Sequence, residues 1–394
     1  MKKLMSIENL TILAIIFGIL SGIYLPDIMI NLKYIGDAFL NLLKMITIPL
    51  IFASIFVSIA SLSSITDLKD MGLKTIAYYF STTALAVFTG LVVVNFIHFT
   101  PVDVATSGEN FQHKPFTIDA LIQSFIPSNI FKSLAEGKVL HTIIFSILFA
   151  LAVLTLQREK KELITKFFDG VNDSMLKIAK WIINLSPIGV FALVAYIVAE
   201  KGIGSILSLW QYVLAVVIGL AIHAFINLPL IAFIFGKFNP YKYFLKVKEA
   251  LLIAFSTSSS SATLPVSMEV AEEKAGVRKK IAGFVLPLGA TINMDGTALY
   301  EAIAAMFVAN MYGIHLSLTE QIIVFFTASL AAIGAAGIPS AGLVTMTLVF
   351  SAVGLPLEGI ALILVVDRFL DMLRTATNVW GDLIGTRIID KIVK

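Results

Sequence analysis

The sequence predicts an all-α polytopic membrane protein, and three observations carry that reading. Hydrophobic residues make up 58% of the 394 and charged residues only 14%, with a mean hydropathy of +0.92; soluble domains carry about 25% charged residues. Apolar windows of about twenty residues, enough to cross a bilayer as helix, recur along the whole chain. The last of these windows carries a stripe of charge that lipid would not tolerate, so it faces an enclosed polar site. Cysteine is absent, which excludes disulfide staples and thiolate metal sites. The net charge of +3 is too small to imply a nucleic-acid partner.

Eight windows read as spans: residues 10–25, 35–61, 76–99, 120–156, 175–199, 206–235, 281–311 and 361–389. The first follows Met1-Lys2-Lys3 like the opening of a signal peptide, but no small-residue cleavage site follows it, so a retained helix is expected. The fourth is interrupted at Ile126-Pro127-Ser128-Asn129, which predicts a short helix and then a full span. Residues 101–118 are polar and turn-rich and are expected to form an external loop.

Two apolar stretches, 250–270 and 319–353, do not fit a simple count. The first is flanked by Lys246 and Lys248 on one side and by Lys274, Arg278, Lys279 and Lys280 on the other. Were it to cross the membrane, one basic cluster would lie outside, against the positive-inside rule. Both stretches also have small or polar centres: the serine run 256–261, and 334–342 with Gly337-Ile338-Pro339. Interrupted apolar segments in corresponding positions point to a transporter site, because non-helical backbone at membrane depth survives only where it is buried or lines a cavity. Two re-entrant hairpins are therefore expected. The competing reading is a flexible serine loop and a simple kink, which the duplication of the pattern disfavours. Re-entrant hairpins place Lys2-Lys3 and the clusters at 158–166, 237–248, 274–280 and 387–394 on one side, so both termini are expected in the cytoplasm.

In the last window Asp367, Asp371, Arg374, Asn378 and Asp382 fall within one helical face about 80° wide. A structural Asp371–Arg374 ion pair would need one acid and one base, not three acids and an amide. Between the hairpins, Asn293-Met294-Asp295-Gly296 interrupts an apolar span and predicts a locally unwound helix. Freed carbonyls and a carboxylate are hard oxygen ligands for a small dehydrated cation. No phosphate-cradling glycine loop is present, so transport driven by an ion gradient is expected, with no organic cofactor and no enzymatic activity.

The serine tip closing in Ala262-Thr263-Leu264-Pro265, the segment Asn293-Met294-Asp295-Gly296-Thr297, the Gly-Ile-Pro hairpin and the final Asp367–Asp371–Arg374-Thr375–Asn378–Asp382 pattern together resemble the dicarboxylate/amino acid:cation symporters, the glutamate transporter family. The resemblance covers nearly the whole chain. It implies a homotrimer in the plasma (cell inner) membrane that works as an elevator. Residues 1–70 would supply scaffold helices one and two, and 71–100 the third helix, which belongs to the transport domain. Residues 101–204 would hold the external loop and scaffold helices four and five. Residues 205–394 would complete the transport domain with helix six, the first hairpin, helix seven, the second hairpin and helix eight.

By the same resemblance Arg374 takes the side-chain carboxylate of an acidic amino acid, Asp371 its amino group and Asn378 its main-chain carboxylate. The chemistry agrees, since a guanidinium offers a fork to a carboxylate and a carboxylate suits an ammonium. Thr297, Thr375 and the tip residues Ser258, Ser259 and Ser260 would complete the pocket, closed by backbone at Ile338, Ala341 and Gly342. Co-transported sodium is implied at Gly289, Asn293, Asn378 and Asp382, and again at Tyr79, Thr82, Thr83, Asn293 and Asp295. A third site would use Thr291, Met294 and carbonyls around Ala332, Ile333 and Ala335. Without the resemblance, Tyr79, Thr82 and Thr83 read equally well as packing residues. Glu301 is either a static partner of a base such as Arg374 or a proton carrier; animal glutamate transporters, which Tyr300-Glu301-Ala302 resembles, use a glutamate here for protons. Ser258 and Met372 stand where archaeal and animal members, respectively, place an arginine, so the resemblance carries no expectation of potassium counter-transport.

Two other classes compete. An intramembrane hydrolase using the serine run would need a base, and His98, His113, His141, His223 and His315 form no motif with the serines. A lone membrane histidine reads first as packing. An ion channel explains the polar stripe but not an acid–base pair shaped for a zwitterion. Within the carrier class, a neutral amino acid or a C4-dicarboxylate is the alternative cargo.

Overall fold

A computed structural model describes residues 7–60, 69–97, 99, 126–207, 209–334 and 342–393. The regular structure of the described residues is all helical, with no strand among them. By length and composition Lys33–Val57, Met71–Phe96 and Leu209–Gly236 are each able to cross a bilayer uninterrupted, and Arg158–Asn184 with Ser186–Glu200 forms a bent fourth. The external loop expected at 101–118 lies outside the described residues.

The window read as a single span over 175–199 is broken. A helix that starts at Arg158 ends at Asn184, and a second begins at Ser186 at 52° to it. Pro187 is the cause: it has no N–H to give, and its ring disfavours continued helix over the turn before it. The short helix expected before the break at 126–129 lies outside the described residues. After the break the fourth span is divided into Ile130–Ala135, capped by the Asn129 side chain on Lys132 N, and the 16-residue Val139–Leu154.

Close packing of small residues joins the first helix, Ile7–Tyr24, to Ser186–Lys201. A Cβ on Gly22 would lie 2.7 Å from the Ala195 carbonyl oxygen, and one on Gly18 would lie 3.1 Å from that of Phe191. Glycines four apart let two helix backbones approach in this way. The helix Asp295–Met311 is the opposite case: every side chain from Asp295 to Ala309 is buried. A helix apolar all round belongs in a core, and Lys69–Phe96, the Leu209–Gly236 run and the final helix, Gly359–Ile392, enclose it.

Each of the two stretches read as hairpins holds a pair of helices packed on one another. In the first, Pro240–Thr257 is followed by Ser258 in the left-handed region (φ 51, ψ 37), then Ser259, whose hydroxyl accepts from Ala262 N to start Ser260–Glu269. The serine run thus supplies a reversal and a helix cap. The two basic flanks meet at one end, where Lys274 Nζ lies 2.5 Å from Glu249 and Arg278 Nε lies 2.8 Å from Asp390. The second hairpin runs from Leu318–Ala331, opened by a Ser317–Glu320 capping box, through a 3₁₀ turn at Ala332–Gly334 to Gly342–Ala352.

The Leu209–Gly236 run leaves α-helical register at His223–Asn227, a π-helical turn. Pro229, with no N–H, stands five residues after Ala224 and four after Phe225, so both carbonyls lose their helical donor. Trp380 Nε1 donates to the first at 2.9 Å and the Tyr241 hydroxyl to the second at 3.1 Å.

The Gly22→Ala variant should destabilise the protein by about 1–3 kcal/mol through overpacking. Thermal denaturation in detergent would register this as a lowered midpoint. Gly170→Ala, where a Cβ meets nothing within 4 Å, should leave the midpoint within the range of a neutral surface change, about 0.5 kcal/mol.

Candidate functional site

The final helix presents its acidic stripe inward, as its period requires: Asp367, Asp371, Arg374, Asn378 and Asp382 are all buried. Arg374 is the largest fully buried side chain, 1% exposed. Its Nη2 lies 2.7 Å from Asp371 Oδ1 and 3.2 Å from Asp367 Oδ1, and its Cζ sits 3.9 Å from the centroid of the Tyr300 ring. The Tyr300 hydroxyl donates to the same Asp367 oxygen at 2.7 Å. Both acids therefore crowd one guanidinium nitrogen, while Nε and Nη1 are buried without a partner among the described residues. Each unmet buried donor costs about 1–3 kcal/mol, more for a charged group. A carboxylate oxygen at Nη1 answers part of that demand; the Nε–H points to the Nη2 side, so one anion does not bridge the two.

Gly342 keeps the approach to Nη1 clear, since a Cβ there would lie 2.7 Å from it. Gly296 lets the unwound segment lie against the final helix, because its Cβ would fall 2.7 Å from the Arg374 carbonyl oxygen. Ser258, Ser259, Ser260, Thr297 and Thr375 are buried, and the Ser258 hydroxyl has no partner. Ile338, Ala341 and Ala335 lie outside the described residues.

The predicted unwinding lies at Asn293 and Met294, between Lys279–Ile292 and Asp295–Met311. It directs polar groups inward on both sides. Asp295 Oδ1 accepts from Thr83 at 2.7 Å and from Thr82 at 3.3 Å, and Thr82 also reaches Asn293 Oδ1 at 3.3 Å. Asn293 Nδ2 donates to Asp382 Oδ1 at 3.0 Å. The Tyr79 hydroxyl donates to the Val285 carbonyl at 2.8 Å, and a Cβ on Gly289 would collide with both Tyr79 and Asp382. Among the described residues no lysine or arginine pairs with Asp295 or Asp382. Buried carboxylates without a cation are costly, and this set of carboxylate, amide and hydroxyl oxygens suits a hard monovalent ion.

Asn378 ties this region to the arginine. Its Oδ1 accepts from Gly296 N at 2.7 Å, and its Nδ2 lies 3.2 Å from Met294 Sδ and 3.4 Å from Thr297 Oγ1. Thr291 is exposed, with its hydroxyl 2.9 Å from the Leu288 carbonyl oxygen; Ala332 and Ile333 are buried in the 3₁₀ turn, which packs against Lys279–Ile292.

Glu301 is fully buried. Thr345 donates its hydroxyl to Oε1, and Oε2 has no partner among the described residues. The acids that pair with Arg374 are Asp367 and Asp371, which leaves Glu301 outside the ion pair.

Several participants were missed at the level of sequence. Asp367 belonged to the stripe, yet its ligation of Arg374 and its bond to Tyr300 needed the fold. Thr345 sits on the second hairpin, 44 positions from its partner Glu301. His223 departs most from expectation: it is 0% exposed, and its Nε2 lies 3.2 Å from Asp295 Oδ2. A lone histidine in an apolar span carries no sequence signal of a partner 72 positions away.

The model of the sodium:dicarboxylate symporter family matches residues 8–392. The chain is 38% identical to mouse Excitatory amino acid transporter 3 over 449 residues, 98% of this chain and 85% of that protein. It is 35% identical to a Caenorhabditis elegans Excitatory amino acid transporter, covering 96% of this chain and 86% of that one. The Proton/sodium-glutamate symport protein of Bacillus subtilis is 34% identical over 96% of this chain and 90% of its own length. With the unwound Asn293–Asp295 segment, the acid-flanked Arg374 and a match over nearly its full length, the chain belongs to the sodium:dicarboxylate symporter family.

Proposed function

We propose that this protein is a secondary active symporter that carries an acidic amino acid, glutamate or aspartate, together with sodium and a proton. One observation carries the reading: among the described residues the buried Arg374 Nη1, beside Gly342, has no partner, while Asp371 stands on Nη2. A guanidinium nitrogen open to a side-chain carboxylate and an acid for an ammonium group lie within one helical turn, which is the charge pattern of an acidic amino acid. Asn378 takes the main-chain carboxylate. The names of the mouse and Bacillus relatives support this cargo.

Sodium is held by Asp382, Asn293, Asn378 and Gly289, and by Asp295, Thr82, Thr83, Tyr79 and Asn293. Met294, Thr291 and the turn at Ala332 and Ile333 serve a third ion. Cation and substrate share Asn378 and close the same second hairpin, so each favours the other. Glu301 carries the proton: it sits buried beside the substrate pocket, bonded to a hydroxyl and not to a fixed base.

Movement follows the elevator scheme in a homotrimer of the plasma membrane, with both termini cytoplasmic and both hairpins re-entrant. Residues 1–70 and 101–204 form the scaffold, and 71–100 with 205–394 the moving domain. The packing supports this division, since Ile7–Tyr24 rests on Ser186–Lys201 while Lys69–Phe96 rests on Asp295–Met311.

Three outcomes are expected in proteoliposomes. Arg374→Cys should weaken aspartate and glutamate by at least about 3 kcal/mol, on the order of a hundred-fold, as two charge-assisted bonds are lost. Sodium binding at Asp382 should remain measurable in that variant, and near-normal affinity for acidic amino acids would remove the assignment. Asp382→Asn should flatten the steep rise of substrate affinity with sodium; uptake indifferent to sodium in the unmodified protein would point to protons alone. Glu301→Gln should abolish the pH dependence of uptake and spare substrate exchange. If uptake by the unmodified protein under a fixed sodium gradient ignores an imposed pH difference, Glu301 is structural.

A further inference from the structure

The π-helical turn at His223–Asn227 places one imidazole in the core while its neighbours Phe225 and Ile226 stay exposed at 54% and 58%. π turns inside α-helices are frequent at functional sites. The ring is held at both nitrogens. Asn227 directs one amide hydrogen to Thr89 Oγ1, 2.7 Å away, and the other toward His223 Nδ1 at 3.5 Å. Nδ1 accepts, so the ring proton resides on Nε2, which faces Asp295 Oδ2 at 3.2 Å. The other carboxylate oxygen is occupied by Thr83 and Thr82. Asp295 is therefore gripped from two helices, one oxygen by each.

A terminal carboxylate torsion is broad and nearly two-fold, so an ungripped Asp295 would sample orientations that point neither oxygen at an ion. We propose that His223 is a positioning residue of the cation site, whose Nε2–H fixes the rotation of the Asp295 carboxylate and so presents Oδ1, with Thr82, Thr83 and Asn293, to sodium. This rests on the reading of Asp295 as a sodium ligand and deepens it. The arrangement parallels the outer-shell bonds that orient metal-binding groups, with the roles of carboxylate and imidazole exchanged. Packing alone accounts for a buried ring, but not for a chain of amide, imidazole and carboxylate in donor–acceptor order.

The test is a sodium titration, read both by the thermal stability of the purified protein with saturating aspartate and by uptake into proteoliposomes. In His223→Leu the half-saturating sodium concentration should rise by about ten-fold, while aspartate affinity at saturating sodium stays within about two-fold, the scale expected for loss of an outer-shell bond. His223→Gln restores a donor near the Nε2 position and should return half-saturation to within about three-fold of the unmodified protein. Should His223→Leu fail to fold, Asn227→Leu, which frees Nδ1, should still raise half-saturation by about three-fold. An unchanged titration in His223→Leu, or equal impairment in the Leu and Gln variants, overturns the proposal in favour of packing. Asp295→Asn run in parallel separates the two readings: if it too titrates like the unmodified protein, the sodium assignment of Asp295 falls as well, whereas a shift there alone removes only the role of His223.

Discussion

The buried guanidinium of Arg374 is the group around which the rest of the structure is arranged. A cation 1% exposed inside an apolar bundle demands anions, and the final helix supplies Asp367 and Asp371 within two turns. Both acids meet the same nitrogen, and Tyr300 holds Asp367 there from the neighbouring helix while its ring lies against the guanidinium. The positive charge is thus met at one nitrogen, while Nη1 has no hydrogen-bond partner among the described residues. That asymmetry gives the pocket a preference for an anion without leaving a bare positive charge in a low-dielectric core.

The same helix links this pocket to the cation region. Asp382 lies two turns beyond Arg374, and Asn378 stands between them with its amide oxygen on Gly296 N. The unwound Asn293–Met294 step is therefore followed at once by a residue, Gly296, bonded to the stripe proposed to hold the substrate. A cation that fixes Asn293 and Asp295 fixes the floor of the pocket, and reciprocity requires that substrate favour the cation equally. The Asp295–Met311 helix is buried on every side, so such a change is not absorbed by loose packing.

Much of this was legible in the sequence because the helical period is strict and a polar break in an apolar run stands out. The 100° step of a helix gathered the stripe from Asp367 to Asp382, and the Asn-Met-Asp interruption of an apolar run announced the unwound step. The serine run, read as a hairpin tip, holds Ser258 and Ser259 in left-handed and capping positions between two helices. What escaped depends on contacts between distant segments or on local geometry that composition blurs. The bend before Pro187 was hidden because apolar residues continue across it. His223 was set aside as packing because its partner lies on another helix, and the π turn that buries it arises from Pro229 acting on two carbonyls at once. Asp367 was visible in the stripe, yet its bonds to Tyr300 and Arg374 appear only once the helices are assembled.

The central claim, an anion receptor coupled to sodium, is tested most directly by ligand-dependent thermal stability of the purified protein. Aspartate, glutamate, serine and succinate would each be titrated with and without sodium. A ligand at a hundred times its dissociation constant stabilises the bound form by about 2.7 kcal/mol. The account predicts stabilisation of that size by aspartate or glutamate in sodium, little by serine or succinate, and almost none from any of them without sodium. Equal stabilisation by succinate and aspartate, or by aspartate in sodium-free solution, would contradict it.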